Sequence, residues 1–322
     1  MKRIKNYIVM GLLGIVLASC GTDLEPEVFP VRTIENVQKI AFPDGYSGCQ
    51  TVFVSDKELY IANGASKPII YAYNLQNGEW RDVSLVVEDD NVDGYFSQTL
   101  SDLLYSLLES GSRRPGGLCW ASGKGYVIGE DMTFIYSPEG DTWTYVTNTG
   151  FSSYNSGSNM VLLGDNCVQI SPTRIYTYSL SSHKWSSIPI THDFTYNYSS
   201  SAGLFSVNNK LYACAYDPYD GLYVYDAETH LWNEVEMKLD RRLSKFSIYK
   251  VLMTDDTVYY FTDNMDFMLM ECNLKDGNLS SIISGSVLNA GLDFYRTFNV
   301  GSTCFSYIYS GETYELIKFN LK

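Results

Sequence analysis

Apolar and polar positions along this chain fall into a pattern that recurs at fixed offsets. In YVYDAETHLWNEV (223–235), Tyr223 and Tyr225 alternate, six positions intervene, and Trp232 and Val235 follow. The same spacing returns in YAYNLQNGEWRDV (71–83), FIYSPEGDTWTYV (134–146), YTYSLSSHKWSSI (176–188) and MECNLKDGNLSSI (270–282), and IKFNLK (317–322) is a truncated sixth copy. One column holds Tyr73, Tyr136, Tyr178, Tyr225, Cys272 and Phe319. Seven residues further on stand Trp80, Trp143, Trp185, Trp232 and Leu279. Four of the chain's five tryptophans thus share a column, so the pattern reports a structural repeat.

Each copy predicts a β-hairpin. The Tyr-x-Tyr alternation is a strand with one buried face, and Asn77-Gly78, Gly140-Asp141 and Asp276-Gly277 carry turn chemistry before the tryptophan strand. Upstream lie further hairpins, in VFVSDKELYIANG (52–64), LFSVNNKLYACAY (204–216) and VLMTDDTVYYFTD (251–263). Each unit is therefore four antiparallel strands, and the copies begin 42 to 63 residues apart. All-strand repeats of that period predict a β-propeller, here of six blades, in which the aromatic columns pack blade on blade. A large β-sandwich is the alternative. The sixth copy stops at its third strand, so its outer strand is expected from the N-terminus. Ile34-x-x-Val37 repeats the spacing of the other fourth strands, and Val37-x-x-Ile40 fits nearly as well.

With these columns in view, residues 34–322 resemble the kelch family of β-propellers, whose blades carry a Tyr on the third strand and a Trp on the fourth. The family's Gly-Gly doublet after the second strand is missing from every blade, so the repeats are degenerate. The copper-radical oxidases (galactose oxidase-like propellers) of the same family need two histidine ligands near a cross-linked Cys–Tyr pair, which this chain does not offer.

The N-terminus has a different character. Lys2, Arg3 and Lys5 precede an apolar run from Tyr7 to Leu17, too short to span a bilayer comfortably, and then Leu17-Ala18-Ser19-Cys20. This is the layout of a secretory signal over residues 1–19. Its end resembles a bacterial lipobox, which implies a lipid such as palmitate on Cys20. Residues 20–33, with Pro26 and Pro30, then form a tether to a single domain over 34–322. A plain signal peptide with an incidental cysteine is the alternative. Two or more acyl chains make a stable anchor, so the expected location is the bacterial outer membrane, on its periplasmic or surface side.

Without residues 1–19 the chain holds 20 Lys+Arg against 37 Asp+Glu, a net charge of −17. Such a surface repels nucleic acid and anionic headgroups, so no nucleic-acid partner is expected and the membrane is met only through the anchor. A monomer is expected. The six cysteines beyond Cys20 fall one per blade with no CxxC, which argues for buried free thiols rather than a metal or redox motif.

Propeller sites usually form where the loops entering the innermost strands ring the channel. Five of the eight arginines beyond the signal, Arg113, Arg114, Arg241, Arg242 and Arg296, fall in or just before these entries, together with Tyr154, Tyr198 and Tyr295. Guanidinium forks match carboxylates and aromatic faces stack on sugar rings, although the same arginines can simply pair with neighbouring acids. The long connection between the first two blades contains Phe96, Leu100, Leu103, Leu104, Leu107 and Leu108 at helical spacing, predicting an inserted amphipathic helix within 95–110 that covers the rim. Asp89, Asn91 and Asp93, followed by Gly94, match the opening of a calcium loop, but Leu100 stands where the bidentate Glu is required. Acids placed before a helix N-terminus are the plainer account, and no other cofactor is suggested.

Catalytic signals are sparse: His192 and Asp193 are the one titratable pair expected near the mouth. The expectation is a non-enzymatic, carbohydrate- or protein-binding lipoprotein that engages its partner across the rim. The alternative is an enzyme acting on an acidic sugar, of mutarotase, epimerase or lyase type. Precedent for that alternative comes by analogy from another relative of the kelch propellers, the bacterial sialic acid mutarotase.

Overall fold

The computed structural model describes residues 34–46, 50–63, 69–87, 100–104, 108, 117–150, 160–170, 174–189, 204–215, 221–235, 248–253, 257–262, 268–273, 280–286, 297–301, 303–309 and 314–321. Among these, every sheet has four antiparallel strands. The first contains β2 (Gln50–Val54), β3 (Glu58–Asn63), β4 (Ile69–Asn74) and β5 (Trp80–Val83). The second contains β6 (Gly117–Ala121), β7 (Lys124–Ile128), β8 (Met132–Ser137) and β9 (Thr142–Thr147). The third is β10 (Val161–Leu163), β11 (Asn166–Ile170), β12 (Arg174–Ser179) and β13 (Lys184–Pro189). The fourth is β14 (Leu204–Val207), β15 (Lys210–Ala215), β16 (Gly221–Asp226) and β17 (Leu231–Glu234). The fifth is β18 (Ile248–Met253), β19 (Thr257–Thr262), β20 (Met268–Asn273) and β21 (Ser280–Ser286). The last joins β22 (Thr297–Val300), β23 (Thr303–Tyr309) and β24 (Tyr314–Leu321) to β1 (Ile34–Ala41), the N-terminal strand. The fold is an all-β propeller. β6 lies beside β2 and β10, β10 beside β14, and β18 beside β22, so the first strands of successive sheets are the inner ones.

The aromatic columns set the pairing within sheets and the packing between them. Tyr73 faces Trp80, Tyr136 faces Trp143, Tyr178 faces Trp185 and Tyr225 faces Trp232 across the ladder. The four pairs keep ring centroids 4.9, 5.0, 5.1 and 5.3 Å apart, a separation at which aromatic pairs attract beyond their burial. In the middle sheets this face turns toward the preceding sheet. Phe134, Tyr136 and Trp143 cluster with Phe53, Tyr60, Ala62 and Val83 of the first sheet. Tyr176, Tyr178 and Trp185 cluster with Cys119, Tyr126 and Ile128 of the second, and Tyr223 and Trp232 with Val168, Ile170 and Ile175 of the third. Indole N–H groups add bonds across these seams, from Trp143 Nε1 to Ser84 O (2.8 Å) and from Trp185 Nε1 to Gly129 O (3.3 Å). Gly125 permits one close approach, because a Cβ there would lie 2.7 Å from the Phe53 ring.

Three sequence expectations are corrected. The Tyr-x-Tyr strands bury both faces: Ile70, Tyr71, Ala72 and Tyr73 of β4 are all buried, since a sheet between two others has no solvent side. In the fifth sheet the pairing slips by two, with Cys272 facing Ser281 where the column puts Leu279. The third concerns β1. Ile40 faces Leu316 as Val83 faces Ile70, so the matching spacing is Val37-x-x-Ile40 and not Ile34-x-x-Val37. A bulge between Glu35 and Gln38 sets this register, with Asn36 at φ +55°, a left-handed conformation that Asn tolerates better than most residues. Ile40 is buried with Leu59, Ile61 and Tyr73 of the first sheet and with Phe305 and Leu316 of the last, whereas Val37 is 52% exposed.

Of the helix expected within 95–110, residues 100–104 and 108 are helical and the other positions lie outside the described residues. Leu100, Leu104 and Leu108 are buried in the cluster between the first two sheets, which includes Ala62, opposite Gln50 at the start of β2, and Val83 of the outer strand β5. Cys119, Cys167 and Cys304 are buried, as the spacing argument expects.

Removing residues 34–41 takes away Ile40 and leaves β24 as an open edge. The expected loss is at least the roughly 2–5 kcal/mol of a buried Ile truncation, seen as a marked drop in Tm, whereas removing 21–30 leaves Tm unchanged. Equal effects of the two deletions would refute closure by β1.

Candidate functional site

Two ends of the propeller can be distinguished. At one end the first strand of each sheet begins; at the other are the hairpin turns that follow it. The sequence-predicted site residues all precede inner strands. Arg113 and Arg114 come four and three residues before β6, Arg241 and Arg242 seven and six before β18, and Arg296 directly before β22. Tyr154 comes seven residues before β10, Tyr198 six before β14, and Tyr295 two before β22. These eight residues, His192 and Asp193, the calcium candidates Asp89, Asn91 and Asp93, and Cys20 lie outside the described residues.

The turn end is described in detail, and its chemistry repeats. In three of the tryptophan hairpins, the residue after Tyr73, Tyr178 or Tyr225 caps the turn. Asn74 Oδ1 accepts the N–H groups of Gln76 (2.9 Å) and Asn77 (3.1 Å), and Asp226 Oδ1 accepts those of Glu228 (2.8 Å) and Thr229 (3.3 Å). Five residues after the tyrosine the chain turns left-handed, at Gly78 (φ +76°), Asp141 (+50°), His183 (+54°) and His230 (+59°). A side chain there meets the tyrosine hydroxyl. Tyr136 donates to Asp141 Oδ1 (2.7 Å), and Tyr178 and Tyr225 bond His183 Nδ1 (3.3 Å) and His230 Nδ1 (2.8 Å). Both histidines therefore hold turns closed.

Between the first two sheets this end opens into a cleft of about 530 Å³, lined by Ser55, Lys57, Glu58, Asn74, Trp120 and Lys124 among others. Trp120, the tryptophan outside the repeat column, stacks on Tyr60 with centroids 5.5 Å apart and planes 20° apart. Sequence reasoning passed it over because it is not part of the repeat. Beside the cleft, Arg81 grips Glu58 with both arms of its fork, Nε to Oε1 at 3.0 Å and Nη2 to Oε2 at 2.8 Å. Arg81 also reaches Tyr136 OH (3.3 Å) and Asp141 Oδ1 (3.4 Å), both in the second sheet. Tyr60 OH donates to Glu58 Oε2. The Arg81 bonds hold the Glu58 carboxyl below its ordinary value, outweighing burial, which acts the other way. Burial, reinforced by the bonds to Glu58 and Asp141, pushes the Tyr60 and Tyr136 hydroxyls up. With its charges satisfied internally, the cluster is suited to clasping two sheets together and poorly suited to proton transfer.

A second polar cluster clasps the next pair. Thr133 Oγ1 and Tyr178 OH both donate to Asn148 Oδ1 at 2.9 Å, and Asn148 Nδ2 donates to Gly129 O at 2.8 Å. Burial pushes the Tyr178 hydroxyl up to about 12. Among the described residues, no group of three or more His, Cys, Asp or Glu could hold a metal ion, and no helix is long and apolar enough to cross a membrane.

No family model matches this chain, and no curated protein does. Solved propellers are similar in fold. The WD40 repeats of RRP9 share 9% identity over 92% of this chain and 100% of theirs, with a TM-score of 0.50. An extracellular domain from B. thetaiotaomicron shares 14% identity over 87% of this chain and 34% of its own, at a TM-score of 0.46. PorZ of Porphyromonas gingivalis, a surface component of the type-IX secretion system, shares 7% over 86% and 33%, at 0.41. This chain thus spans about a third of the length of the latter two. Identities this low speak for the fold alone.

The clasp predicts a pH dependence. A carboxyl whose folded value is depressed adds stability above its ordinary value of 4.5, and that stability is lost as pH falls through the lowered folded value. From about pH 5 to about pH 3, the Tm of the native chain should therefore fall more steeply than that of Glu58→Gln. Parallel pH–Tm curves would show that the Arg81–Glu58 pair adds nothing.

Proposed function

We propose that this chain is an exported lipoprotein whose kelch-type propeller, closed as six blades, binds a glycan or a protein partner at the end where the inner strands begin. One observation carries the reading. The inner strands β6, β18 and β22 are each preceded within seven residues by the arginines singled out in the sequence. The two described arginines, by contrast, lie on strands and bond protein groups, Arg81 to Glu58 and across to Asp141, and Arg174 Nε to Ser187 Oγ (2.9 Å). In a chain this acidic, a gathering of guanidinium groups at one end favours a ligand bearing carboxylates, and Tyr154, Tyr198 and Tyr295 supply faces for sugar rings. Binding is favoured over catalysis by the described histidines, which hold turns at the opposite end.

Export is supported by the signal-like residues 1–19, and anchoring by Cys20, whose acyl chains would hold the propeller at the outer membrane through the 20–33 tether. Cys20→Ser is expected to abolish labelling with a radioactive fatty acid and to release the protein from membranes. Labelling that persists in the variant would exclude the assignment.

The rim is tested with uronic-acid oligosaccharides by thermal shift and calorimetry. Arg242→Ala and Arg296→Ala should each leave stability within about 0.5 kcal/mol, as surface changes do, and weaken the ligand by roughly 1.5–3 kcal/mol. Early melting of both variants would make these arginines structural and remove the rim as the site.

A further inference from the structure

Cys119 and Cys167 are 48 residues apart in sequence and belong to different sheets, yet their Sγ atoms are 2.8 Å apart. Cys119 lies on inner strand β6, opposite Tyr126, and points into the seam toward the third sheet; Cys167 lies on β11, opposite Tyr178, and fills the same seam from the other side. Both are buried, among Ala121, Tyr126, Met160 and Trp185. Two unbonded sulfurs do not rest so close together, whereas a disulfide needs only a further approach to about 2.05 Å. The repeat columns give no hint of this partner: Cys167 faces Tyr178 whereas Cys214 of the next unit faces Leu222, so those two do not share a position either.

We infer that Cys119 and Cys167 form a disulfide that staples the second sheet to the third. The bond forms by exchange with a disulfide oxidant, for which oxidised glutathione serves as the example. The Cys119 thiolate attacks one glutathione sulfur, and the S–S bond of the oxidant breaks to release one reduced glutathione. The Cys167 thiolate then attacks the Cys119 sulfur of the mixed disulfide and releases the second. The two electrons lost by the cysteines reduce the oxidant, and their two protons end on the two glutathione thiols. Because both sulfurs are buried in the finished fold, exchange belongs to folding, and the completed bond is shielded from later reduction. Closing a loop of this length restricts the unfolded chain and stabilises the fold. In the cell the bond rests on the export reading, which supplies an oxidising compartment; its formation in vitro does not.

The full chain is unfolded in urea and refolded in a glutathione redox buffer. Remaining thiols are then alkylated under denaturing conditions, and peptides are mapped by mass spectrometry. The expected product joins the peptide containing Cys119 to that containing Cys167, two hydrogens lighter than the separate pair. Its Tm should exceed that of the same chain refolded with a thiol reductant by roughly 5 °C or more. In Cys119→Ala and Cys167→Ala the two refolding conditions should give equal Tm values. Full alkylation of both cysteines in the oxidised wild-type sample would overturn the inference, and that outcome does not depend on whether either variant folds. Linkage of either cysteine to a different partner would overturn it equally.

Discussion

A four-stranded sheet rich in aromatic residues on both faces cannot remain a single sheet in water, and the rest of this structure answers that constraint. Alternation along β4 sends Tyr71 and Tyr73 to one face and Ile70 and Ala72 to the other, and all four are buried. Each face therefore needs a neighbouring sheet, and that neighbour's far face needs another. The chain of requirements ends only when the last sheet meets the first. Ile40, Phe305 and Leu316 packing on Leu59, Ile61 and Tyr73 is that meeting, and the pairing of β1 with β24 supplies the strand the last sheet lacks.

The tryptophan columns do most of this work because an indole fills a wide seam and carries one N–H that can cross it. Trp143, Trp185 and Trp232 are at most 2% exposed, and the first two donate to carbonyls of the preceding sheet or the chain leaving it. Tyrosines opposite them bring hydroxyls to the turn end, where Asp141, His183 or His230 in a left-handed turn position receives them. The geometry separates two tasks. Residues at the turn end are committed to closing hairpins and clasping sheets, while long connections gather where the inner strands begin, the usual place for loops that recognise ligands.

Much of this was legible in the sequence because hairpin geometry is local. A fixed offset of seven between a tyrosine and a tryptophan demands a short turn of constant form, so the columns revealed the strands, their order and the need for a closing strand. The candidate rim was legible to the same degree, as positions just upstream of inner strands, since strand order alone determines which connections share an end.

What only the tertiary structure decided involves contacts between chain segments with no constant offset. The register of β1 rests on a bulge at Asn36 and on burying Ile40, and a spacing argument cannot choose between Ile34-x-x-Val37 and Val37-x-x-Ile40 when both alternate correctly. The slip at Cys272 comes from a turn two residues longer than in the other copies. Trp120 on Tyr60, Arg81 across to Asp141 and Cys119 against Cys167 join different sheets. The sequence by itself determined the repeated hairpin, because its interactions lie within a dozen residues. The partner that each sheet face meets was decided only when the sheets packed, because that choice depends on side-chain volume and reach across a seam.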